Sequence, residues 1–149
     1  MRISSKGDYG LRALFDLAQR VGEGPIQSDD IATRQGIPVN YLNQLLLTMR
    51  RAGLIDSVRG PQGGHLLARP AAQISLLDVI TVLEGPPLPD EPARDADRAT
   101  VPEDVALVNE VWSELRSRLS VLLAAITLED LQQRKRQRGG EKVAGVCRR

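Results

Sequence analysis

The sequence predicts a mainly α-helical protein with a small two-stranded β wing and one long helix toward its C-terminus. Three observations carry this. The segments "SDDIATRQ" and "PVNYLNQLLLTMRR" have helical character and are separated only by "GI", the spacing of two helices joined by a tight turn. "LIDSVRGPQGGHLLA" then sets two short apolar runs around a glycine-rich loop. Beyond Pro102, apolar residues recur at helical spacing from Val108 to Ile126.

The first element is a helix over "SSKGDYGLRALFDLAQRVGEG". Ser5 is its expected cap, with Asp8 three residues on. Leu11, Leu14, Phe15, Ala18 and Val21 share a face, and Gly22, Gly24 and Pro25 end it. Ser28 is the expected cap of the second helix, where Asp29 and Asp30 suit the positive N-terminal end. That helix stops near Gly36, and Pro38 suits the first turn of the third. The third runs to Gly53, an expected C-cap. Its Leu42, Leu45, Leu46 and Met49 form a stripe to bury. Asn40, Asn43, Gln44, Leu47 and Arg51 lie opposite.

Amides both donate and accept hydrogen bonds, as the base edges of a DNA major groove require. Arg50 and Arg51 fall where a phosphate backbone would pass. A plain helical hairpin with a solvated amide face fits these helices equally well. The wing tips the balance. Strands "LIDSV" and "HLLA" flank the loop "RGPQGG", whose glycines permit close backbone approach. A helix-turn-helix followed at once by a ribbon is a winged helix-turn-helix. Arg59, at the wing, can enter a narrow, electronegative minor groove. His65 can hydrogen-bond a phosphate or serve as an ordinary strand-edge histidine.

"ISLLDVITVLEG" reads as a short helix capped by Ser75 and ended by Gly85. "PPLPDEPARDADRATVPED" is acidic and proline-rich, a loop. The helix from Pro102 carries Val108, Val111, Trp112, Leu115, Leu119, Leu122, Leu123 and Ile126. That stripe is wider than a small domain can hide, so it is expected to pack on a second copy of itself, the alternative being a long core helix within one chain. "TLEDLQQ" restarts a helix with a capping box from Thr127 to Asp130. "RKRQRGGEKVAGVCRR" is a basic tail whose composition reads as disordered.

Charge is unevenly placed. Residues 1–69 hold nine Lys/Arg against six Asp/Glu, residues 70–131 four against twelve, and residues 132–149 seven against one. A polyanion partner therefore suits the first part and not the middle. No apolar run approaches the roughly 20 residues of a membrane span. The single cysteine, Cys147, cannot make an internal disulfide, and a cytoplasmic location is the expectation. Beside Arg148 and Arg149 its thiol is a candidate for oxidation. A tail cysteine without a role is the plainer reading. One histidine and no phosphate-loop or Ser-His-Asp arrangement leave no basis for an enzyme.

"MRISSKGDYGLRAL", "IATRQGIPVNYLNQLL", "AGLIDSVRGPQGGHLL" and "VWSELRSRLSVLLAAITLEDL" together resemble the Rrf-two (Rrf2) family of winged helix-turn-helix transcription regulators. The resemblance spans roughly residues 1–132. It implies a DNA-binding domain over 1–84 and a dimerisation helix region over 103–132; composition adds the acidic Pro-rich loop over 85–102 and the basic tail over 133–149. It also implies a homodimer, most often a repressor, on a palindromic double-stranded operator. The residues expected at DNA are Asn40, Tyr41, Asn43, Gln44, Arg50, Arg51, Arg59, Gln62 and His65. Cluster-binding members carry three cysteines between wing domain and long helix, and some use a histidine three residues before the long helix's tryptophan. Here that loop has no cysteine, and Asn109 stands three before Trp112. A member without cofactor or metal is therefore expected, answering to a small-molecule or protein effector and not to a membrane. The competing reading is a winged-helix module that binds protein.

Overall fold

The computed structural model describes residues 3–89 and 101–146. Its elements are α1 (Ser5–Ala18), α2 (Ser28–Gln35), α3 (Val39–Arg51), β1 (Ile55–Val58), β2 (Gly64–Leu67), a single 3-10 turn (Ala71–Gln73), α4 (Leu76–Glu84), α5 (Glu103–Ala124) and α6 (Leu128–Val146). Helices α1–α4 enclose one core in which Leu14, Ile31, Leu42, Leu46, Met49 and Leu54 are fully buried.

The α1 helix lies at the centre and touches α2, α3, α4 and α6. Small residues make this possible. A Cβ on Gly10 would sit 2.1 Å from Leu83 Cδ1, so the glycine is what admits α4. The cap is Ser4 rather than Ser5, its Oγ accepting from the Lys6 amide at 3.3 Å. Glu84, from the end of α4, reinforces this helix start. Its Oε1 accepts from the amides of Ser4 (2.6 Å) and Gly7 (3.1 Å), placing a carboxylate at the positive end of α1. The helix ends at Ala18, so Val21 lies beyond it and is 71% exposed instead of joining the buried face.

Asp16 is the buried charged side chain of the described core. Arg34 on α2 grips it with two bonds, Nε to Oδ1 at 2.9 Å and Nη2 to Oδ2 at 2.7 Å. Gln35 donates to Oδ1 at 3.2 Å, and Arg20 stands 3.6 Å away. Burial alone would raise the Asp16 pKa. The hydrogen bonds from Arg34 and Gln35 and the charges of Arg34 and Arg20 outweigh it and hold the carboxyl below its ordinary value.

Ser28 is the first residue of α2, not its cap. Gln27 occupies the cap position and sends its side-chain amide to the Pro61 carbonyl instead, at 3.3 Å. Gly36 ends the helix in the left-handed region at φ 63°. The third helix buries Leu42, Leu45, Leu46 and Met49. It closes in a Schellman turn, with Leu54 N donating to Met49 O and Gly53 N to Arg50 O, both at 3.0 Å. Gly53 takes φ 79° one residue past the Ala52 C-cap.

Strands β1 and β2 pair antiparallel, Ile55 opposite Leu67 and Ser57 opposite His65. Ile26, from the α1–α2 connection, adds a third pairing to His65, with N–O distances of 3.0 and 2.7 Å.

A second small junction holds α5 and α6. Ser75 and Asp78 form a capping box at the start of α4. Thr127 and Asp130 exchange the same bonds at the start of α6 (2.8 and 3.3 Å). The two starts pair antiparallel, Leu76 N to Ile126 O at 2.8 Å and Leu128 N to Ile74 O at 3.0 Å. The segment expected to be a disordered tail is instead helical through Val146. Arg, Lys and Gln are good helix formers, and Gln132 anchors the helix by donating to Ala18 O at 2.6 Å. Most of the acidic loop, residues 90–100, and Cys147 lie outside the described residues.

Removing Asp16 leaves Arg34 without its carboxylate. Asp16→Ala should destabilise the fold by about 3–5 kcal/mol, read from urea unfolding at pH 7. The folded pKa of Asp16 lies below the ordinary value of 3.8. Its contribution is therefore complete above that pH and lost as pH falls through the folded value. Below pH ~4 the stability of the wild type should drop more steeply with acid than that of Asp16→Asn. Parallel curves would show that the carboxylate contributes no such linkage.

Candidate nucleic-acid interface

Helix α3 has two faces because its apolar and amide residues alternate at helical spacing. With Leu42, Leu45, Leu46 and Met49 turned into the core, Asn40, Asn43, Gln44, Leu47, Arg50 and Arg51 are exposed. Tyr41 is only partly so. Its ring meets Tyr9 edge-on at 5.8 Å, and Arg12 lies 4.7 Å above the Tyr9 ring. Tyr41 is thus held by packing, leaving the amides and arginines as the free groups of the helix.

The wing brings a second set. Arg59 and Gln62 are exposed in the loop between β1 and β2. The loop is closed by Gly63 N donating to Gly60 O at 2.9 Å. Gly60 takes φ 114°, where a side chain is strained. Gly63 has no room: a Cβ would stand 2.1 Å from Val58 O. Gln27 ties the Pro61 carbonyl to the start of α2. The wing is therefore fixed at its tip as well as its base.

Arg50, Arg51 and Arg59 have no ion-pair partner among the described residues. Cations left unpaired beside exposed amides suit a polyanion that also presents hydrogen-bonding edges.

His65 is placed differently. It is half-buried, its Nδ1 is 2.8 Å from Ser57 Oγ, and its backbone pairs with Ile26. Burial and the nearby Arg50 charge both push its pKa down, which keeps it neutral at pH 7. His65 supports the wing's base rather than offering a charge at the surface. Sequence reasoning missed the Ile26–His65 pairing and the Gln27 anchor, since a single bridging residue leaves no periodic pattern.

A family model described as "Rrf2: Iron-dependent Transcriptional regulator" matches residues 3–134. The HTH-type transcriptional regulator IscR of Xenorhabdus nematophila is 40% identical over 136 residues, covering 88% of this chain and 79% of that protein. The structure of CymR, the global cysteine regulator of Bacillus subtilis, is similar with TM-score 0.72 and 38% identity, over 88% of this chain and 95% of that one. The structure of T. potens IscR gives TM-score 0.70 and 39% identity, over 91% and 88%.

The donor set does not suit an iron–sulfur cluster, which takes thiolate or imidazole ligands. The chain has one cysteine and one histidine, and that histidine already bonds Ser57. Asn109, exposed on α5, offers only an amide.

The glycine turn generates a local test. Gly63→Ala must push the wing open, at a cost of about 1–3 kcal/mol. Amides of residues 58–65 should lose hydrogen-exchange protection while those of α1 and α3 keep it. Unchanged protection in the wing would contradict the close approach.

Proposed function

The chain belongs to the Rrf2 family of transcriptional regulators, and we propose that it acts as a homodimeric, cluster-free repressor on a palindromic operator in double-stranded DNA. The observation that carries this is the pairing of an exposed amide face on α3 with an unpaired Arg59 on an anchored wing. In this reading Asn40, Asn43 and Gln44 meet base edges in the major groove, where a bidentate amide separates adenine from other bases. Arg50, Arg51 and Gln62 lie along the phosphates, and Arg59 enters the flanking minor groove. Tyr41 and His65 position these groups.

Dimerisation follows from α5. Only Leu123 of its stripe is buried, with Leu119 and Ile126 half-buried. Val108, Val111, Trp112, Leu115 and Leu122 are each 44–61% exposed. An apolar stripe of that length fits a second copy of the helix, with residues at i, i+3, i+4 and i+7 forming the seam. A dimer would hold two α3 helices for half-sites about 34 Å apart, or a multiple of it. A protein that works on chromosomal DNA belongs in the cytoplasm. No described helix is long and apolar enough to cross a membrane.

Leu115→Glu with Leu122→Glu should give a monomer in sedimentation and lose tight operator binding. A wild-type chain that is monomeric at micromolar concentration would contradict the dimer. Asn43→Ala should cost about 1–3 kcal/mol at one base pair and relax preference there. Arg59→Ala should weaken binding most where the wing faces an A·T-rich segment. Equal affinity of wild type and Arg59→Ala on such an operator would remove Arg59 from the minor groove. Genome-wide footprinting supplies the operator for both measurements.

A further inference from the structure

We infer that a cavity behind the wing binds a small apolar monocarboxylate, a ligand site separate from the DNA-reading face and from α5. The cavity is about 440 Å³, within the usual range for small-ligand sites. It lies between the end of α1, the α1–α2 connection and strand β2. Leu17, Val21, Ile26, Leu67 and Pro70 form its apolar wall. This gives the exposed Val21 a surface to serve, since it lies outside the core.

The charged side chains are of one sign. Arg20 and Arg69 line the cavity and no carboxylate does. Arg20 is already engaged, 3.6 Å from Asp16 and 3.7 Å from Glu23. Arg69 is partly buried and has no ion-pair partner among the described residues. An arginine fork over an apolar wall matches a carboxylate head on a hydrocarbon body. A cationic or strongly hydrated ligand does not fit.

The site also has a mechanical route to the wing. His65, Leu66 and Leu67 are both cavity wall and return strand. Ile26 is wall too, and it pairs with His65. A ligand that spreads or draws together Val21 and Leu67 therefore acts on the base that carries Arg59. This coupling, unlike the site itself, rests on the DNA-binding reading above.

Isothermal titration of the full chain with hexanoate, without DNA, tests the site. The expected result is saturable binding, one per chain, with hexylammonium silent. Arg69→Gln should weaken hexanoate by about tenfold or more, and Arg69→Lys, which keeps the charge but not the fork, should recover only part of it. Absence of saturable binding overturns the site. So does equal binding of hexylammonium, or an Arg69→Gln variant that folds and binds as the wild type does. If Val21→Glu changes the oligomeric state, the groove belongs to a second copy and the small-ligand site is overturned.

Operator titration then tests the coupling. Hexanoate at about three times its wild-type Kd should change wild-type affinity by about fivefold or more when extrapolated to full occupancy and change that of Arg69→Gln far less. Operator binding that ignores bound hexanoate overturns the coupling. Failure of the ligand-free protein to bind any operator overturns the regulator reading instead, while the titration without DNA still decides the site.

Discussion

One buried carboxylate sets the geometry of the DNA-binding unit. Asp16 is held between α1 and α2 by Arg34, Gln35 and Arg20. A charge taken out of water is tolerated only when its bonding positions are filled, and these partners fill them in one arrangement. That arrangement fixes α2 against α1. Because α2 turns into α3 through only Gly36, Ile37 and Pro38, α3 has little freedom left. The apolar core supplies most of the burial, but apolar contacts do not specify direction as a two-pronged guanidinium–carboxylate bond does.

The same economy joins recognition to stability. The α3 helix cannot rotate to hide its amides without withdrawing Leu42, Leu45, Leu46 and Met49 from the core. The wing is constrained from two sides, by Ile26 at its base and Gln27 near its tip. Both residues precede α2 directly. The segment that starts the helix-turn-helix thus also positions the wing, so α3 and the wing share one foundation.

Much of this was legible in the residues, for identifiable reasons. The α3 stripe, the two strands and the caps at Ser75 and Thr127 come from local patterns, and the structure places them where those patterns put them. The Ser5 and Ser28 caps fail because neighbouring residues compete. Ser4 is also a serine, and Gln27 spends its amide on a distant carbonyl. Val21 continues the α1 period arithmetically, but Gly22 and Gly24 turn the chain at φ 93° and 85°. The tail's charge suggested disorder, while its helix formers and the Gln132 anchor favour helix. Asp16 was invisible among surface-type residues, because its partners lie 18 and 19 positions away. Of the site, the amide face and wing arginine were legible and the inward turn of His65 was not.

The junction between Ser75 and Thr127 makes α5 a lever. The helix has 22 residues, about 33 Å at the usual rise; it packs on α4, and its buried residue, Leu123, lies near its C-terminal end. A rotation of about 5° at this pivot would carry the far end about 3 Å, close to the spacing of one base-pair step. In the dimer proposed above, the pitch at which two joined subunits straddle DNA is therefore written in the angle of a few backbone bonds far from either helix tip. In that proposed dimer, a change at the hinge alone resets the half-site spacing and leaves both the seam and the reading head untouched.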